Sequence, residues 1–214
     1  MIKKIAIIGA GGFGREVKML IDQINEKSLK YNFIGYYDDL IEKDVLINGF
    51  PVIGIVEDLN KLDEELGVVI AIADPTLKKT IFNKIINSKI FFPTVIHPSV
   101  KIVWDYVDIG KGSIICAGNF ITVNISIGEF VILNLSCTVG HDTRIDDFSS
   151  FMPSVNISGE VNIKEGVYVG TGVKIINQLE IGKYTIIGAG AVVSKSLPER
   201  CTAVGIPAKP IKFH

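Results

Sequence analysis

A histidine and an aspartate stand side by side at positions 141 and 142, inside a stretch of small and aliphatic residues that reads CTVGHDTRIDD. The whole chain contains only three histidines, so the pair is a candidate for acid-base chemistry. An imidazole can take up a proton near neutral pH, and an adjacent carboxylate can orient the ring and stabilise its charged form. The pair predicts a general base, His141, beside Asp142. The alternative interpretation is a solvated surface histidine.

A glycine-rich turn is the second feature that could do chemistry. GAGGFG at 9–14 matches G-x-G-x-x-G through Gly9, Gly11 and Gly14, directly after an apolar strand at 4–8 and at the start of a helical pattern. Glycines let a backbone approach a ligand closely, and a helix N-terminus attracts negative charge. The turn therefore predicts a phosphate-binding site. The alternative is a tight turn without a ligand.

The first 95 residues must position that turn. Predicted strands at 4–8, 33–37 and 68–73 alternate with helical patterns at 15–27 and 75–87. This alternation indicates a small parallel sheet, and 95 residues suffice for one mononucleotide-sized half of a dinucleotide fold. Asp38 and Asp39 follow the second strand, 24 residues after Gly14, where an acid that contacts a ribose or a base is expected. A nucleoside diphosphate fits this half-domain better than NAD.

The rest of the chain has a period of six, and this period must position His141. A bulky apolar residue recurs at every sixth position: Val103, Ile109, Ile115, Ile121, Ile127, Leu133, Val139, Ile145, Phe151, Ile157, Ile163, Val169, Ile175, Ile181, Ile187 and Val193. A short strand that turns after each hexapeptide fits this period, and three such strands form a triangular coil of roughly 18 residues. The period also directs His141 outward, at a corner of a coil.

The two periods together predict the fold class and the domains. Residues 1–95 are expected to form an α/β Rossmann-like half-domain that binds a nucleoside diphosphate. Residues 96–214 are expected to form an all-β left-handed parallel β-helix of roughly five coils, with a short C-terminal extension. FFPTVIHPSV at 91–100 carries two prolines and is interpreted as the junction.

Composition and charge exclude several classes of function. Lys and Arg number 22 against 23 Asp and Glu, and no basic cluster suggests nucleic acid. Early glycines interrupt the apolar opening MIKKIAIIGA, which argues against a signal peptide or membrane span and favours a cytoplasmic protein. Cys116, Cys137 and Cys201 are interpreted as reduced packing thiols, and three scattered histidines offer no metal site.

The exposed sides of the predicted prism suggest self-association. Ile114, Ile132 and Ile186 stand beside periodic positions, so their side chains are expected to point outward. Apolar faces left open to water favour contacts between copies of a chain. We therefore expect a homotrimer.

The two halves together resemble a known family, the sialic acid O-acetyltransferase-like group of hexapeptide acyltransferases, and especially its bacterial nucleotide-aminosugar N-acetyltransferases. The resemblance extends from end to end through GAGGFG at 9–14, YYDD at 36–39, AIADP at 71–75, FPTVIHPSV at 92–100, VGHD at 139–142 and GIPAKPI at 205–211. It implies an N-terminal domain that holds the nucleotide of the acceptor sugar. It also implies a β-helix that forms a trimer and binds acetyl-CoA between subunits.

The resemblance also implies roles for individual residues. It makes His141 the general base, Asp142 its acidic neighbour and Gly159 the residue whose amide meets the thioester oxygen. The substrate-binding positions are Gly9, Gly11, Gly12, Phe13, Gly14, Asp38, Asp39, Ala73 and Asp74. The coenzyme-binding positions are Ser150, Gly159, Ala189, Ile206, Pro207 and Lys209. Related sequences often have histidine where this chain has Phe13, and some have it at Ser150.

The reaction that follows from this resemblance is acetyl transfer from acetyl-CoA to the amine of a nucleotide-linked amino(dideoxy)sugar, as in polysaccharide biosynthesis. Cys137 is expected to point inward, so direct transfer is favoured over an acyl-enzyme. O-acetylation of a sialic acid or a related sugar remains an alternative, because a histidine base does not distinguish nitrogen from oxygen. A non-enzymatic nucleotide-binding scaffold is the alternative outside this class. A dehydrogenase is disfavoured because no second nucleotide-binding half is present.

Overall fold

The computed structural model describes residues 2–214, which divide into two compact units, 2–98 and 99–214. The division falls between Pro98 and Ser99, within the two-proline segment 91–100. Each unit has its own core and is described by itself.

The first unit is built on a six-stranded sheet with the order β3-β4-β2-β1-β5-β6. Its elements are β1 (Lys3–Ile8), α1 (Gly12–Lys27), β2 (Tyr31–Tyr37), β3 (Leu46–Ile47), β4 (Phe50–Gly54), a 3-10 helix (Val56–Lys61), β5 (Leu66–Ile70), α2 (Pro75–Lys84), β6 (Ile90–Phe91) and β7 (Val95–Ile96). The central strands pair in parallel, and only β3 and β4 form an antiparallel hairpin. The three predicted strands and both predicted helices are present, whereas the hairpin was not predicted.

The strand order sets the position of the glycine turn. The central strand β1 has β2 on one side and β5 on the other, so the chain reverses its direction of strand addition at β1. In open α/β sheets, ligands bind outside the carboxyl ends of the strands at such a reversal. GAGGFG begins directly after β1, at this edge. The apolar stripe of α1 is buried through Val17, Leu20, Ile21 and Ile24, which fixes the helix that follows the turn.

The second unit is a left-handed parallel β-helix. It begins with a 3-10 helix (Trp104–Tyr106), followed by β8 (Val107–Ile109), β9 (Ile114–Ile115), β10 (Phe120–Ile121), β11 (Ile125–Ile127), β12 (Ile132–Leu133), β13 (Thr138–Val139), β14 (Arg144–Ile145), β15 (Ser150–Phe151), β16 (Asn156–Ile157), β17 (Asn162–Ile163), β18 (Tyr168–Val169), β19 (Lys174–Ile175), β20 (Glu180–Ile181), β21 (Ile186–Ile187), β22 (Val192–Val193), β23 (Cys201–Val204) and β24 (Lys209–Phe213).

These strands form three sheets, with the orders β10-β13-β16-β19-β22, β20-β17-β14-β11-β8 and, within this unit, β24-β23-β21-β18-β15-β12-β9. Paired residues such as Phe120 and Thr138 are one coil apart, which is 138 − 120 = 18 residues. The predicted 18-residue coil is therefore confirmed. The five strands in each of the first two sheets also match the roughly five coils that were predicted. Only β24 runs antiparallel, folding back on β23 as the C-terminal extension.

The periodic apolar residues fill the interior of the β-helix. Every one from Ile115 to Val193 is buried. Ile109 is only half-buried. Val103 is exposed, with 55% of its surface open to solvent. It directly precedes the 3-10 helix, so the chain has not yet entered the β-helical register there. The inward period therefore starts later than the sequence indicated.

The expectation for the outward apolar residues was wrong at two of three positions. Ile114 and Ile132 are completely buried within the single chain, while Ile186 keeps 39% of its surface exposed. These three residues lie in β9, β12 and β21 of one sheet, whose outer side is thus buried in its first coils and exposed in its last. The hexapeptide pattern is the same in all these coils and does not predict this difference. Any contact between copies must use other apolar residues than Ile114 and Ile132.

Candidate active site

His141 and Asp142 occupy the corner between β13 and β14, which we call the histidine corner. The Asp142 N–H donates to the Val123 carbonyl of the preceding coil at 3.1 Å, and the Glu160 N–H of the next coil donates to the His141 carbonyl at 2.8 Å. The corner is therefore held from both sides. The two side chains project outward, with 57% and 48% of their surface exposed. The outward direction predicted for His141 is confirmed.

The imidazole and the carboxylate form a hydrogen-bonded pair. Nδ1 of His141 lies 2.7 Å from Oδ2 of Asp142. A hydrogen bond from Asn124 and a second from His141 lower the pKa of Asp142, so this carboxyl is ionised at neutral pH. An ionised carboxylate only accepts hydrogen bonds, so Nδ1 of the ring carries a proton in this pair. In the neutral form of such a ring the lone pair is on Nε2, which is the nitrogen that can act as a base.

Gly159 lies against this nitrogen from the next coil. A Cβ atom at position 159 would lie 2.5 Å from Nε2 of His141, so a side chain there would force the imidazole to move. Gly159 is buried, and its backbone N–H donates to no backbone carbonyl within residues 2–214. Its two neighbours in the chain, Ser158 and Glu160, do make backbone hydrogen bonds to the adjacent coils. An unpaired amide of a buried residue is a donor that lacks an acceptor. The corner thus combines a base and a hydrogen-bond donor.

Cys137, two residues before Val139, is a buried thiol and is not exposed like His141. Its side chain is buried, its Sγ lies 3.3 Å from the Met152 carbonyl oxygen, and burial raises the pKa of the thiol to about 11. A thiol of this kind stays protonated and is a poor nucleophile. Cys116 and Cys201 are also buried and take part in no disulfide, which confirms the interpretation of all three as packing thiols.

No group of three or more metal-ligating side chains converges within residues 2–214. Neither helix in that part of the chain is long and apolar enough to cross a membrane.

The glycine turn at 9–14 contains two kinds of glycine. Gly9 has a φ of +96°, and a Cβ at Gly14 would lie 1.8 Å from the Gly9 carbonyl oxygen, so these two residues permit the turn itself. Gly11 has no atom within 4 Å of its Cβ position, and Gly12 has only the Arg15 guanidinium at 4.0 Å. The absence of side chains at these two positions leaves open space in front of α1.

The start of α1 differs from the start of α2. No side chain within residues 2–214 caps α1, and its first turn contains no acidic residue. At α2, the Asp74 carboxylate accepts a hydrogen bond from the Leu77 N–H at 2.8 Å. The first N–H groups of a helix carry partial positive charge and seek an acceptor. The amides of α1 are therefore available to an anion, whereas Asp74 already neutralises those of α2.

Asp38 and Asp39 have partners within the first unit. The two carboxylate oxygens of Asp38 accept from the N–H groups of Ala10 at 2.8 Å and Leu40 at 2.9 Å. Asp39 accepts from the Val56 N–H at 2.9 Å. Asp38 thus shapes the glycine turn directly. Of the other predicted substrate-binding residues, Phe13 and Ala73 are half-buried near the same edge of the sheet.

The predicted coenzyme residues fall into two groups. Ala189 is exposed on the last coil, and the adjacent Gly188 approaches Val204. The loop that contains Ile206 and Pro207 leads into β24 at Lys209. It is attached to Val192, whose N–H donates to the Gly205 carbonyl at 3.1 Å and whose carbonyl accepts from the Ala208 N–H at 2.8 Å. Ala189 and the exposed GIPAK loop therefore lie at the same end of the β-helix.

Ser150 does not belong with them. It is completely buried in β15, between Ile132 and Tyr168. Its hydroxyl has no open surface from which to contact a coenzyme, so the prediction of that contact is not supported. The hexapeptide register showed that position 150 points outward, but not that the outer side of the sheet is covered there.

One polar residue of the site was missed in the sequence. Asn124 donates from Nδ2 to Oδ1 of Asp142 at 2.9 Å. The signal that could have found it is the coil length, since 142 − 124 = 18 places the two residues at the same corner of successive coils.

Two family models match the chain. The model of the PglD N-terminal domain matches residues 4–85, and the model of the bacterial transferase hexapeptide (six repeats) matches residues 160–195. The first match covers the glycine turn, and the second covers the C-terminal coils of the β-helix.

Individual relatives match along the whole chain. GDP-perosamine N-acetyltransferase from Escherichia coli O157:H7 is 33% identical over 213 residues, covering 96% of this chain and 95% of the relative. The acetyltransferase domain of PglB from Neisseria gonorrhoeae, solved with acetyl coenzyme A, is 32% identical, with a TM-score of 0.89 and coverage of 99% and 100%. PerB from Caulobacter crescentus, solved with CoA and GDP-perosamine, is 29% identical, with a TM-score of 0.85 and coverage of 99% of both chains.

A glycine-turn half-domain followed by an outward histidine on a left-handed β-helix defines a class, the hexapeptide acetyltransferases. Within that class, the chain belongs to the sialic acid O-acetyltransferase-like family, alongside the nucleotide-aminosugar N-acetyltransferases.

Proposed function

We propose that this acetyltransferase moves the acetyl group of acetyl-CoA directly onto the amine of a nucleotide-linked amino(dideoxy)sugar, with His141 as the general base. One observation carries the proposal: Nδ1 of His141 is bonded to Asp142 at 2.7 Å, while Nε2 of this half-exposed ring lies beside Gly159. The names of the relatives support nitrogen as the acceptor atom, because perosamine N-acetyltransferases match along the full length of the chain.

The reaction needs no acyl-enzyme intermediate. The sugar amine attacks the thioester carbonyl carbon as its proton passes to Nε2 of His141, and the carbonyl electron pair moves onto oxygen. The tetrahedral intermediate then collapses, the C–S bond breaks, and the departing thiolate takes the proton from the imidazolium. A positioned base of this kind typically contributes about 10²–10⁴-fold to the rate. Asp142 stabilises the transient imidazolium through the Nδ1–H bond.

Gly159 supplies the complementary group in this proposal. Its unpaired amide would donate to the thioester oxygen as negative charge develops there, and one such donor is worth about 3 kcal/mol. The absence of a side chain at 159 leaves the space beside Nε2 of His141 open. Cys137 takes no part, because a buried thiol with a pKa of about 11 does not compete with an amine as nucleophile.

The glycine turn would hold the diphosphate of the sugar nucleotide. Support comes from the uncapped start of α1, the open space at Gly11 and Gly12, and the position of the turn at the reversal point of the sheet. Asp38 would act mainly by fixing the turn through the Ala10 amide. Residues 1–95 thus bind the acceptor nucleotide in this proposal, and residues 96–214 perform the transfer.

Acetyl-CoA would run along the β-helix from Gly159 toward Ala189, Ile206, Pro207 and Lys209. His141 lies 189 − 141 = 48 residues before Ala189, somewhat less than three coils, which is about 13 Å along the axis at the usual strand spacing. We infer that the groove is completed by a neighbouring copy in a homotrimer. Ile206, with 76% of its surface exposed, is an apolar side chain available for such contacts.

Sedimentation tests the assembly. A mass of three chains that persists on dilution is expected. A species with the mass of one chain that still transfers acetyl groups would overturn the shared groove.

A substrate panel tests the activity. The protein is incubated with acetyl-CoA and either amino-sugar nucleotides, GDP-perosamine among them, or the matched hydroxyl sugars, and the release of free thiol is followed. Thiol release with the amines, together with a product acetylated on nitrogen, is expected. Release only with hydroxyl sugars would instead establish O-acetylation. Nucleotide binding with no thiol release from any acceptor would leave a scaffold.

A further inference from the structure

Asn124 belongs to the corner between β10 and β11, one coil before His141 and Asp142. Its Nδ2 donates to Oδ1 of Asp142 at 2.9 Å, while Oδ2 of the same carboxylate lies 2.7 Å from Nδ1 of His141. Each carboxylate oxygen therefore has one partner, and the three side chains form a continuous series. Because Asp142 is half exposed, its carboxylate would be free to rotate without a second partner.

The backbone alone does not explain an asparagine at 124. Asn124 has a φ of +57°, in the left-handed region where asparagine is well tolerated. However, Asp142, Glu160 and Gln178 occupy the same position in the next coils, with φ of +57°, +58° and +61°. The conformation therefore belongs to the corner and is compatible with several side chains. What distinguishes Asn124 is its amide donor, aimed at the carboxylate that holds the imidazole.

We propose that Asn124 is a positioning residue, which acts through Asp142 to keep the imidazole of His141 in the tautomer with its proton on Nδ1. The inference rests on the proposed function, in which Nε2 is the base. An amide N–H only donates, so it favours an ionised Asp142 whose remaining oxygen accepts from Nδ1–H. The direction of both hydrogen bonds then follows, and the lone pair stays on Nε2. Asp142 and Glu160 are the ionisable side chains of this corner that flank His141 on its own and the following coil.

The same corner offers a matched control. Nε2 of Gln178 donates to Oε2 of Glu160 at 3.2 Å, again from an amide to a carboxylate one coil apart. Glu160 is bonded by this glutamine rather than by the imidazole. Removing the amide of Gln178 therefore removes a comparable hydrogen bond at the same corner. It leaves the hydrogen bonds from Asn124 to Asp142 and from Asp142 to His141 in place.

The test compares Asn124→Gly, Asn124→Asp and Gln178→Gly with the unmodified protein. Glycine keeps the left-handed backbone and removes the amide, whereas aspartate keeps the shape but replaces the donor with a charge that repels Asp142. We expect Asn124→Gly to lower kcat roughly tenfold, the scale of a lost hydrogen bond to a charged group, with both KM values within about twofold. Asn124→Asp should lower kcat further, and Gln178→Gly should leave it unchanged. Thermal unfolding should be similar in all three variants.

A second readout is independent of turnover. The ¹⁵N chemical shifts of the His141 ring report which nitrogen carries the proton, and the His141→Asn variant identifies the signal. The Nδ1–H form should dominate in the unmodified protein and in Gln178→Gly, and the Nε2–H form should grow in Asn124→Gly. Unchanged ring shifts and unchanged kcat in both Asn124 variants would overturn the proposal, as would an equal loss in Gln178→Gly.

The two readouts separate this inference from the proposed function. If the protein transferred no acetyl group to any sugar amine, the proposed function would fail, yet the ring shifts would still decide whether Asn124 sets the tautomer. If transfer occurred and the shifts did not move in Asn124→Gly, the function would stand and the positioning role would fall.

Discussion

The glycine turn of the first unit and the histidine corner of the second present functional groups in opposite ways. At the turn, Gly11 and Gly12 leave space in front of the uncapped backbone of α1, so the proposed diphosphate site depends on side chains that are absent. At the corner, His141 and Asp142 project from a backbone hydrogen-bonded to the coils on either side, so the proposed transfer depends on side chains that are held in place.

This difference indicates how each region should respond to mutation. Added bulk at the turn blocks a ligand and leaves the chemistry of the bound complex intact, which is an effect on affinity. Movement of a ring at the corner alters the proton acceptor itself, which is an effect on kcat. A substitution at the turn that lowered kcat, or one at the corner that lowered only affinity, would contradict this comparison.

The largest effect is expected from Gly159→Ala. The new methyl group would lie 2.5 Å from Nε2 of His141, so the imidazole must leave its place. We expect kcat to fall roughly 10²-fold or more, as when a general base is lost, with little change in unfolding temperature. Steady-state kinetics and thermal unfolding measure both. In a His141→Asn background the same substitution should lower kcat little further, because the ring is already gone. A further full loss of kcat in that background would show that Gly159→Ala does not act through the His141 ring.

A smaller effect is expected from Gly11→Val at the turn. Position 11 has open space around its Cβ and an ordinary φ of −71°, so the side chain fits the fold but occupies the space of the proposed diphosphate. The dissociation constant for the sugar nucleotide should rise about tenfold or more. Calorimetry with acetyl-CoA on the same variant provides the control, since that affinity should not change. Equal loss of both ligands in a folded protein would contradict the division of labour.

The smallest effect is expected from Cys137→Ala. Because the thiol takes no part in direct transfer, kcat should stay within about twofold, whereas an acyl-enzyme mechanism would lose nearly all activity.

The substitution Cys137→Ala should also alter stability at high pH. The folded pKa is raised from 9.0 to about 11, so the thiol stabilises the fold below pH 9, and this contribution is lost as the pH rises toward 11. The variant should therefore lose less stability than the unmodified protein across that range, as measured by denaturant unfolding.

Much of the fold could be predicted because its signals are periodic. The hexapeptide pattern specified inward residues and coil length, and a one-residue slip would have exposed every large side chain. The β3–β4 hairpin was missed, although Asn48 and Gly49 are the residue pair typical of a two-residue turn, and both have positive φ (+49° and +84°). Val103 was misjudged because a 3-10 helix interrupts the register after it.

The site was predictable to the extent that it depends on the same register. The outward direction of His141 follows from its distance to Val139, and Asn124 was equally accessible from the 18-residue coil. The burial of Ser150, Ile114 and Ile132 was not accessible, because it depends on what covers the outer side of a sheet. The capping role of Asp74 and the bonds of Asp38 to Ala10 and Leu40 depend on rotamers that a motif does not specify.

His141→Asn tests the central claim most directly, with kcat measured from neutral to alkaline pH beside the affinity for acetyl-CoA. Asparagine keeps a short polar side chain at an exposed corner, so the fold and the assembly should be retained. The account predicts a fall in kcat of roughly 10²-fold or more at neutral pH, a much smaller change in acetyl-CoA affinity, and partial recovery at alkaline pH, where solvent deprotonates the amine. An unchanged kcat across the whole range would contradict it, and would make His141 a surface residue with the proton acceptor elsewhere.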